Sequence, residues 1–408
     1  MNILLITQLY PQPDDIGDNK PTKTVEYFAN EWRKSGHNIY VIHCSSKFPF
    51  LFYYAPKFVK RLLGGVLSNI IPSKSSRKPL FREENGIKVM RYPMYKLFPG
   101  MGYTNHQIHK QTALIEKFLY NQNFIPDLVA GHFANPSTAI VSVLSARYSS
   151  RSSIVFHNDC NIKNVRKYRL KTWLKNIDAI GTRSSYEAEQ VKNVLNLKLL
   201  PFICYSGVPN DLIKTINRNH KDMDFSKGSN HLFVGSLIKR KKLDTVMKAF
   251  VSTKRNLDKL IIIGGGPEEA NMRKMAKTLD DNNSITFIGK IPRNDVFKEM
   301  IKAHIFTLVS HNEAYGMVYI EAMLNGCIVI ASKNGGFDGI IIDGINGYLC
   351  TAGDVSMLQG IYNKIYSLSI NDKIKISKAA IETASHFSES EVAKKYLENI
   401  MNCPKLFN

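Results

Sequence analysis

The stretch His304-Ile305-Phe306-Thr307-Leu308-Val309-Ser310-His311-Asn312-Glu313-Ala314-Tyr315-Gly316-Met317-Val318-Tyr319-Ile320-Glu321-Ala322-Met323 reads as a buried strand that turns into a helix. Residues 304–309 are β-branched, aliphatic or aromatic apart from one histidine. A short run of that kind suits a parallel sheet covered on both faces. The helix starts near Tyr315. Its first-turn N–H groups, around Gly316 and Met317, have no partner in a preceding turn and would attract an anion. Glu313 stands just before that helix, and Glu321 follows eight residues later between apolar Ile320 and Ala322. Taken alone, Glu321 reads as an exposed helix glutamate.

The same rhythm runs outward in both directions. Toward the N-terminus, strands are expected at 2–7, 38–44, 87–92, 127–131, 153–157, 178–181 and 200–205. After the polar stretch Asn210–Asn230 the series restarts, with strands at 231–235, 258–263, 284–288, 304–309 and 327–331. Helical patterns lie between them. Thr22–Ser35, for example, places Val25, Phe28, Ala29 and Trp32 on one face, and Gly36 follows as a stop. Two βα series in succession predict an α/β protein with two doubly wound, parallel-sheet, Rossmann-like domains facing each other across a cleft. The expected boundaries are 1–205, 206–385, and a C-terminal helix at 386–408 that returns to the first domain. A length of 408 residues fits two such cores.

Composition narrows the class. At 44% hydrophobic and 22% charged residues the chain is neither disordered nor fibrous. Six scattered cysteines without a C-x-x-C exclude a disulfide scaffold and lead us to expect a reduced, intracellular protein with no structural zinc. The charge is +21 and uneven. Residues 1–205 hold 28 basic and 13 acidic side chains, and residues 206–408 hold 27 and 21. The front half therefore faces something anionic: nucleic acid, a membrane surface or a phosphorylated substrate. Within it, Lys47–Arg82 carries eight Lys/Arg, no acid and the aromatic set Phe48, Phe50, Phe52, Tyr53, Tyr54 and Phe58. That mixture suits a lipid interface as well as a solvated basic insertion. The N-terminus lacks an export-signal pattern, and the longest uncharged run, 128–146, is too polar for a transmembrane helix.

Glycines follow the expected strand at 258–263, as Ile263-Gly264-Gly265-Gly266-Pro267. Glu269 stands where a dinucleotide fingerprint needs its third glycine, and no G-x-x-x-x-G-K-[ST] exists, so neither an NAD fold nor a P-loop is expected. The run is either a tight turn or a place where a phosphate comes close. Glu313 and Glu321 could hold the hydroxyls of a sugar nucleotide while the amides between them hold its phosphates.

Several segments in order carry a resemblance. They are Glu313-x7-Glu321 with Ala322-Met323-Leu324-Asn325-Gly326, then Gly335-Gly336 and Asp343-Gly344-Ile345-Asn346-Gly347-Tyr348. Upstream stand Phe233-Val234-Gly235-Ser236-Leu237-Ile238-Lys239-Arg240-Lys241, Gly264–Pro267, Ser206-Gly207-Val208-Pro209 and His157-Asn158-Asp159. Together the chain resembles family 4 glycosyltransferases. The resemblance implies a GT-B enzyme that transfers a sugar from a nucleotide sugar with retention, needing no cofactor and no essential metal. It implies that Glu321 binds the donor ribose, Glu313 the sugar, and Lys241 the diphosphate, with amides from Gly316 and Met317. Gly235, Ser236 and Gly266 would line the donor, and His157 would lie beside the transferred sugar. Ser236 replaces the family's usual arginine, with Lys239 or Arg240 as substitutes. The family's glycine-rich first loop has only Gly17 here, with Lys20 able to approach the same phosphate.

From the family and the basic window we expect a polyprenyl-diphosphate-linked or other saccharide acceptor in bacterial surface polysaccharide synthesis. We also expect a cytoplasmic chain held peripherally at the inner face of the membrane through 47–82, with no nucleic-acid partner. An epimerase or phosphorylase on the same fold, or more distantly a basic nucleic-acid-binding protein, are the alternatives.

Overall fold

Apolar runs long enough to be covered on both faces become parallel strands, and twelve of the strands lie where the sequence placed them. The computed structural model describes residues 1–11, 23–49, 78–98, 100–214, 222–280, 283–313 and 315–404. Gly17, Lys20, and the part of the basic window from 50 to 77 lie outside the described residues.

The chain divides into two units. The first comprises Met1–Arg183, Ala188–Cys204 and Ala393–Asn408. Its strands are β1 (Asn2–Thr7), β2 (Asn38–Lys47), β3 (Leu80–Glu84), β4 (Ile87–Tyr95), β5 (Leu128–His132), β6 (Arg151–Val155), β7 (Ala179–Thr182) and β8 (Phe202–Ile203). The sheet order is β3-β4-β2-β1-β5-β6-β7-β8. All neighbours are parallel except the β3–β4 hairpin. Ile3, Leu4, Leu5 and Ile6 of β1 are fully buried at its centre. Strand order reverses between β1 and β5, where Thr7 pairs with His132. Ligands of doubly wound sheets bind at such a switch, beyond the carboxyl ends of the strands.

Three strand expectations need correction. β2 runs on to Lys47 and β4 to Tyr95, because the two pair through that whole length. The expected strand at 200–205 shrinks to two residues. β3 was not anticipated. It is an exposed edge strand carrying Arg82, Glu83 and Glu84, joined to β4 by Asn85-Gly86 with both φ angles positive.

The second unit comprises Ser184–Glu187 and Tyr205–Val392. Its strands are β9 (Asn230–Val234), β10 (Lys259–Ile263), β11 (Ile285–Gly289), β12 (Ile305–Leu308), β13 (Ile328–Ser332) and β14 (Tyr348–Cys350). They form an all-parallel sheet in the order β11-β10-β9-β12-β13-β14. Here the order reverses between β9 and β12. The loops leaving these two strands are the ones that carry Ser236–Lys241 and Ser310–Gly316.

The helix Glu389–Asn402 starts in the second unit, and from Ala393 its residues belong to the first. There the indole N–H of Trp32 donates to the Ala393 carbonyl at 2.8 Å, and the Arg151 guanidinium reaches the Ile400 carbonyl at 2.9 Å. Tyr396 and Ile400 are buried.

Candidate active site

At the switch of the second unit, the loop after β9 and the loop after β12 are pinned together. The His311 amide donates to the Arg240 carbonyl at 2.8 Å. That clamp brings Glu313 against the end of the turn Lys239–Lys241. The Lys241 ammonium donates to Glu313 Oε2, and the Arg240 guanidinium approaches the same oxygen at 3.4 Å. Both Lys241 and Glu313 keep only about a tenth of their side-chain surface exposed. Burial lowers the Lys241 pKa, with the Glu313 carboxylate opposing that and Arg240 adding to it. Arg240 thus shares the Glu313 carboxylate with Lys241.

Glu321 is not the exposed helix residue that its surroundings in sequence suggest. It is 8% exposed, on a helix Met317–Leu324 that is buried along most of its length. Its carboxylate pairs with Arg293, the first residue of the helix Arg293–Lys302 that follows β11. Burial raises the Glu321 pKa, and Arg293 works against the rise. Sequence reading missed Arg293; no spacing links residue 293 to 321. The site therefore holds two carboxylates, each already gripped by a cation from a different loop.

Gly316 caps the Met317–Leu324 helix with φ +84°, and a Cβ there would meet the Tyr319 ring at 2.4 Å. Glycine is thus required for the helix to begin over Tyr319, whose hydroxyl donates to the Leu308 carbonyl at 2.6 Å. The glycine run after β10 has a packing reason as well. Gly264 has φ +141°, and a Cβ on it would lie 1.9 Å from the Gly235 carbonyl oxygen; one on Gly266 would lie 2.5 Å from that of Leu237. The turn lets two loop backbones touch. A Cβ on Gly235 would meet nothing closer than 3.8 Å, so that residue leaves room where the others do not. A cleft of about 250 Å3 lies beside this turn, lined by Leu237, Lys239, Lys242, Asp244, Glu268 and Met272 among others, and of the expected site residues Lys239 alone lines it. Among the described residues no group of three His, Cys, Asp or Glu side chains is placed to hold a metal ion.

In the first unit, His157 sits just past β6 and is half-buried. Its Nε2 lies 3.1 Å from Nδ1 of His132, the last residue of β5. Its ring stacks on Phe133 at 4.0 Å. Asp159 accepts the backbone N–H of His157 at 2.9 Å and that of Ala134 at 2.5 Å, which ties the ends of β5 and β6 together. Sequence reading gave His132 no role.

Comparison with known proteins bears on this arrangement. Residues 217–383, which contain Gly235 through Glu321, match the family model "Glycosyl transferases group 1". The chain therefore carries a group 1 glycosyltransferase domain. An uncharacterized glycosyltransferase of Methanocaldococcus jannaschii is 27% identical over 320 residues, covering 75% of this chain and 82% of that one. A putative teichuronic acid biosynthesis glycosyltransferase of Bacillus subtilis is 24% identical, covering 83% of each. Among solved structures, Anabaena HepE in complex with UDP-glucose superposes with a TM-score of 0.62 at 15% identity, over 98% of this chain and 99% of that one. At that identity the likeness concerns the fold, which is GT-B. The group 1 domain coincides with the part of the chain where the carboxylates and cations are paired.

Proposed function

We propose that this glycosyltransferase is a retaining, family 4 type enzyme that moves a sugar, of the hexose class, from a nucleotide sugar to a saccharide or lipid-linked saccharide acceptor. The observation that carries the reading is the pair of buried carboxylates at the switch of the second unit, Glu313 with Lys241 and Arg240, and Glu321 with Arg293. A nucleoside diphosphate that leaves develops negative charge. Lys241 and Arg240 answer it once the diphosphate replaces Glu313 as their partner, and Glu313 is then released toward the sugar hydroxyls. Amides of Gly316 and Met317 add to the same charge. Glu321, released from Arg293, takes the ribose hydroxyls. Gly235 and Ser236 leave room beside the phosphates. His157, from the first unit, enters the reading through its resemblance to the family's sugar-side histidine.

With the diphosphate served by side-chain cations and amides, no metal or cofactor is assigned a role. Transfer is expected to survive EDTA; complete loss restored by Mg2+ would show that the protein's own cations do not suffice. The UDP-glucose complex of the Anabaena relative favours a nucleotide-sugar donor, and the Bacillus subtilis relative favours a cell-surface polysaccharide.

Peripheral attachment to an anionic membrane is supported by the basic-aromatic composition of 47–82. It is also supported by exposed Tyr95, Leu97, Phe98 and Met101 of the first unit. Among the described residues no helix is long and apolar enough to cross a membrane. Pelleting with anionic vesicles should weaken with salt and vanish when Lys57, Lys60, Arg61, Lys74, Arg77 and Lys78 become glutamate; equal pelleting of both proteins would remove the membrane from this account.

The test of the whole reading is a thermal-shift screen of UDP-, GDP- and ADP-sugars followed by product analysis. One donor class should raise Tm through linkage. Donor turnover into an epimer or a sugar phosphate, without an acceptor product, would favour the epimerase or phosphorylase alternative.

A further inference from the structure

The histidine pair of the first unit continues one step further. The hydroxyl of Tyr396, on the helix Glu389–Asn402, lies 3.3 Å from Nε2 of His132. Three side chains from three elements thus form a line: Tyr396 Oη, His132 Nε2 and Nδ1, His157 Nε2. The members are held in place by rings. Phe28 stacks on His132 at 5.7 Å and meets the edge of Tyr396 at 4.9 Å, while Phe133 covers His157. His132 and Tyr396 are 0% and 1% exposed.

Burial, with Arg183 adding to it, holds both imidazoles neutral. Burial also keeps the Tyr396 phenol protonated. Each neutral imidazole then has one N–H and one bare nitrogen, so the direction of one bond fixes the next. The phenol has one proton to donate, and a bare imidazole nitrogen is a stronger acceptor than any hydroxyl nearby. Donation from Tyr396 to His132 Nε2 leaves the His132 proton on Nδ1. That N–H donates to His157 Nε2, which must be bare, so the His157 proton resides on Nδ1. Nδ1 is the nitrogen of His157 that makes no hydrogen bond among the described residues.

We propose that Tyr396 and His132 are positioning residues that lock His157 in its Nδ1–H tautomer, so that His157 meets the sugar as a neutral hydrogen-bond donor and not as a base. The lock stands on the geometry of the first unit; its use in transfer rests on the reading of His157 given above.

The test is a long-range 1H–15N correlation spectrum of the full chain labelled with 15N-histidine at neutral pH, the two signals assigned with His132→Gln and His157→Gln. Wild type should show both residues protonated at Nδ1 alone. In Tyr396→Phe the His157 signal should move toward a mixture of tautomers. Its kcat should fall about threefold to tenfold, the worth of one hydrogen bond, with the donor KM unchanged. A wild-type His157 protonated at Nε2, or a His157 tautomer that Tyr396→Phe does not move, overturns the lock. The wild-type spectrum decides the tautomer even where the phenylalanine variant folds poorly. A confirmed tautomer with full activity in His157→Gln would leave the lock standing and remove His157 from the reaction.

Discussion

The two units treat their polar side chains in opposite ways at their strand ends. In the second, Glu313 and Glu321 keep their charges partnered, with Lys241, Arg240 and Arg293 brought from other loops. In the first, His132 and His157 are stripped of charge by burial and joined through neutral hydrogen bonds. An ion pair can exchange partners with a charged ligand, since each half still finds an opposite charge. A neutral relay cannot exchange without leaving a buried polar atom unpaired. The difference teaches that the second unit's paired charges can rearrange if a charged ligand arrives, whereas the neutral pair of the first resists such an exchange.

That contrast is open to attack at several levels. The largest effect is expected from Glu321→Ala, which should remain folded by circular dichroism and lose measurable transfer, a fall of at least about 100-fold from lost donor positioning. Near-wild-type kcat/KM at low donor concentration would show that its exchange of partners has no part in catalysis. Glu313→Gln keeps the shape and a weaker hydrogen bond to Lys241. It should lose about 100-fold in kcat with little change in KM, because its proposed contacts are to the reacting sugar. A rise in KM alone would make Glu313 a uniform binder.

The smallest effect is a difference of sign in stability against pH. A histidine whose folded pKa is depressed, from 6.5 to about 3 for His132, contributes stability that is fully present above 6.5 and lost as pH falls toward 3. The loss approaches about 1.4 kcal/mol per pH unit for each such group. His132→Gln should flatten the acid side of a denaturation series. Glu321 behaves the other way: its raised pKa costs stability as pH rises above the ordinary glutamate value. Glu321→Gln should therefore gain on wild type from acid toward neutral pH. Parallel curves for both variants would erase the contrast.

Much of this was legible in the sequence, for physical reasons. β1, β9, β10, β12 and β13 are apolar runs buried on both faces, and their bounds fall within a residue or two of the expected ones. The order Glu313-x7-Glu321 is local, so its helix and its loop were visible. What was not visible is long-range. Arg293 reaches Glu321 across 28 residues, and Tyr396 reaches His132 across 264. No period or spacing encodes such contacts. β3 escaped because its residues are charged, although Asn85-Gly86 is the turn pair that a tight hairpin favours. β14, only three residues long, carries too few to show a period. The glycines at 264 and 266 left two explanations open, and the carbonyls of Gly235 and Leu237 supply the structural one.

The helix that begins at Glu389 has a consequence for the order in which the molecule is made. A ribosome delivers residues 205–392 before it delivers Tyr396 and Ile400. The second unit can therefore close its core while the first still lacks the Tyr396 ring that packs against Phe28 and Trp32 and the Ala393 carbonyl that accepts the Trp32 indole N–H. The half of the chain synthesised first is the half completed last. A nascent chain would wait with an apolar groove beside Trp32 open to solvent, where chaperones would find it. A nonsense mutation near residue 392 would leave the second unit nearly whole and injure the first.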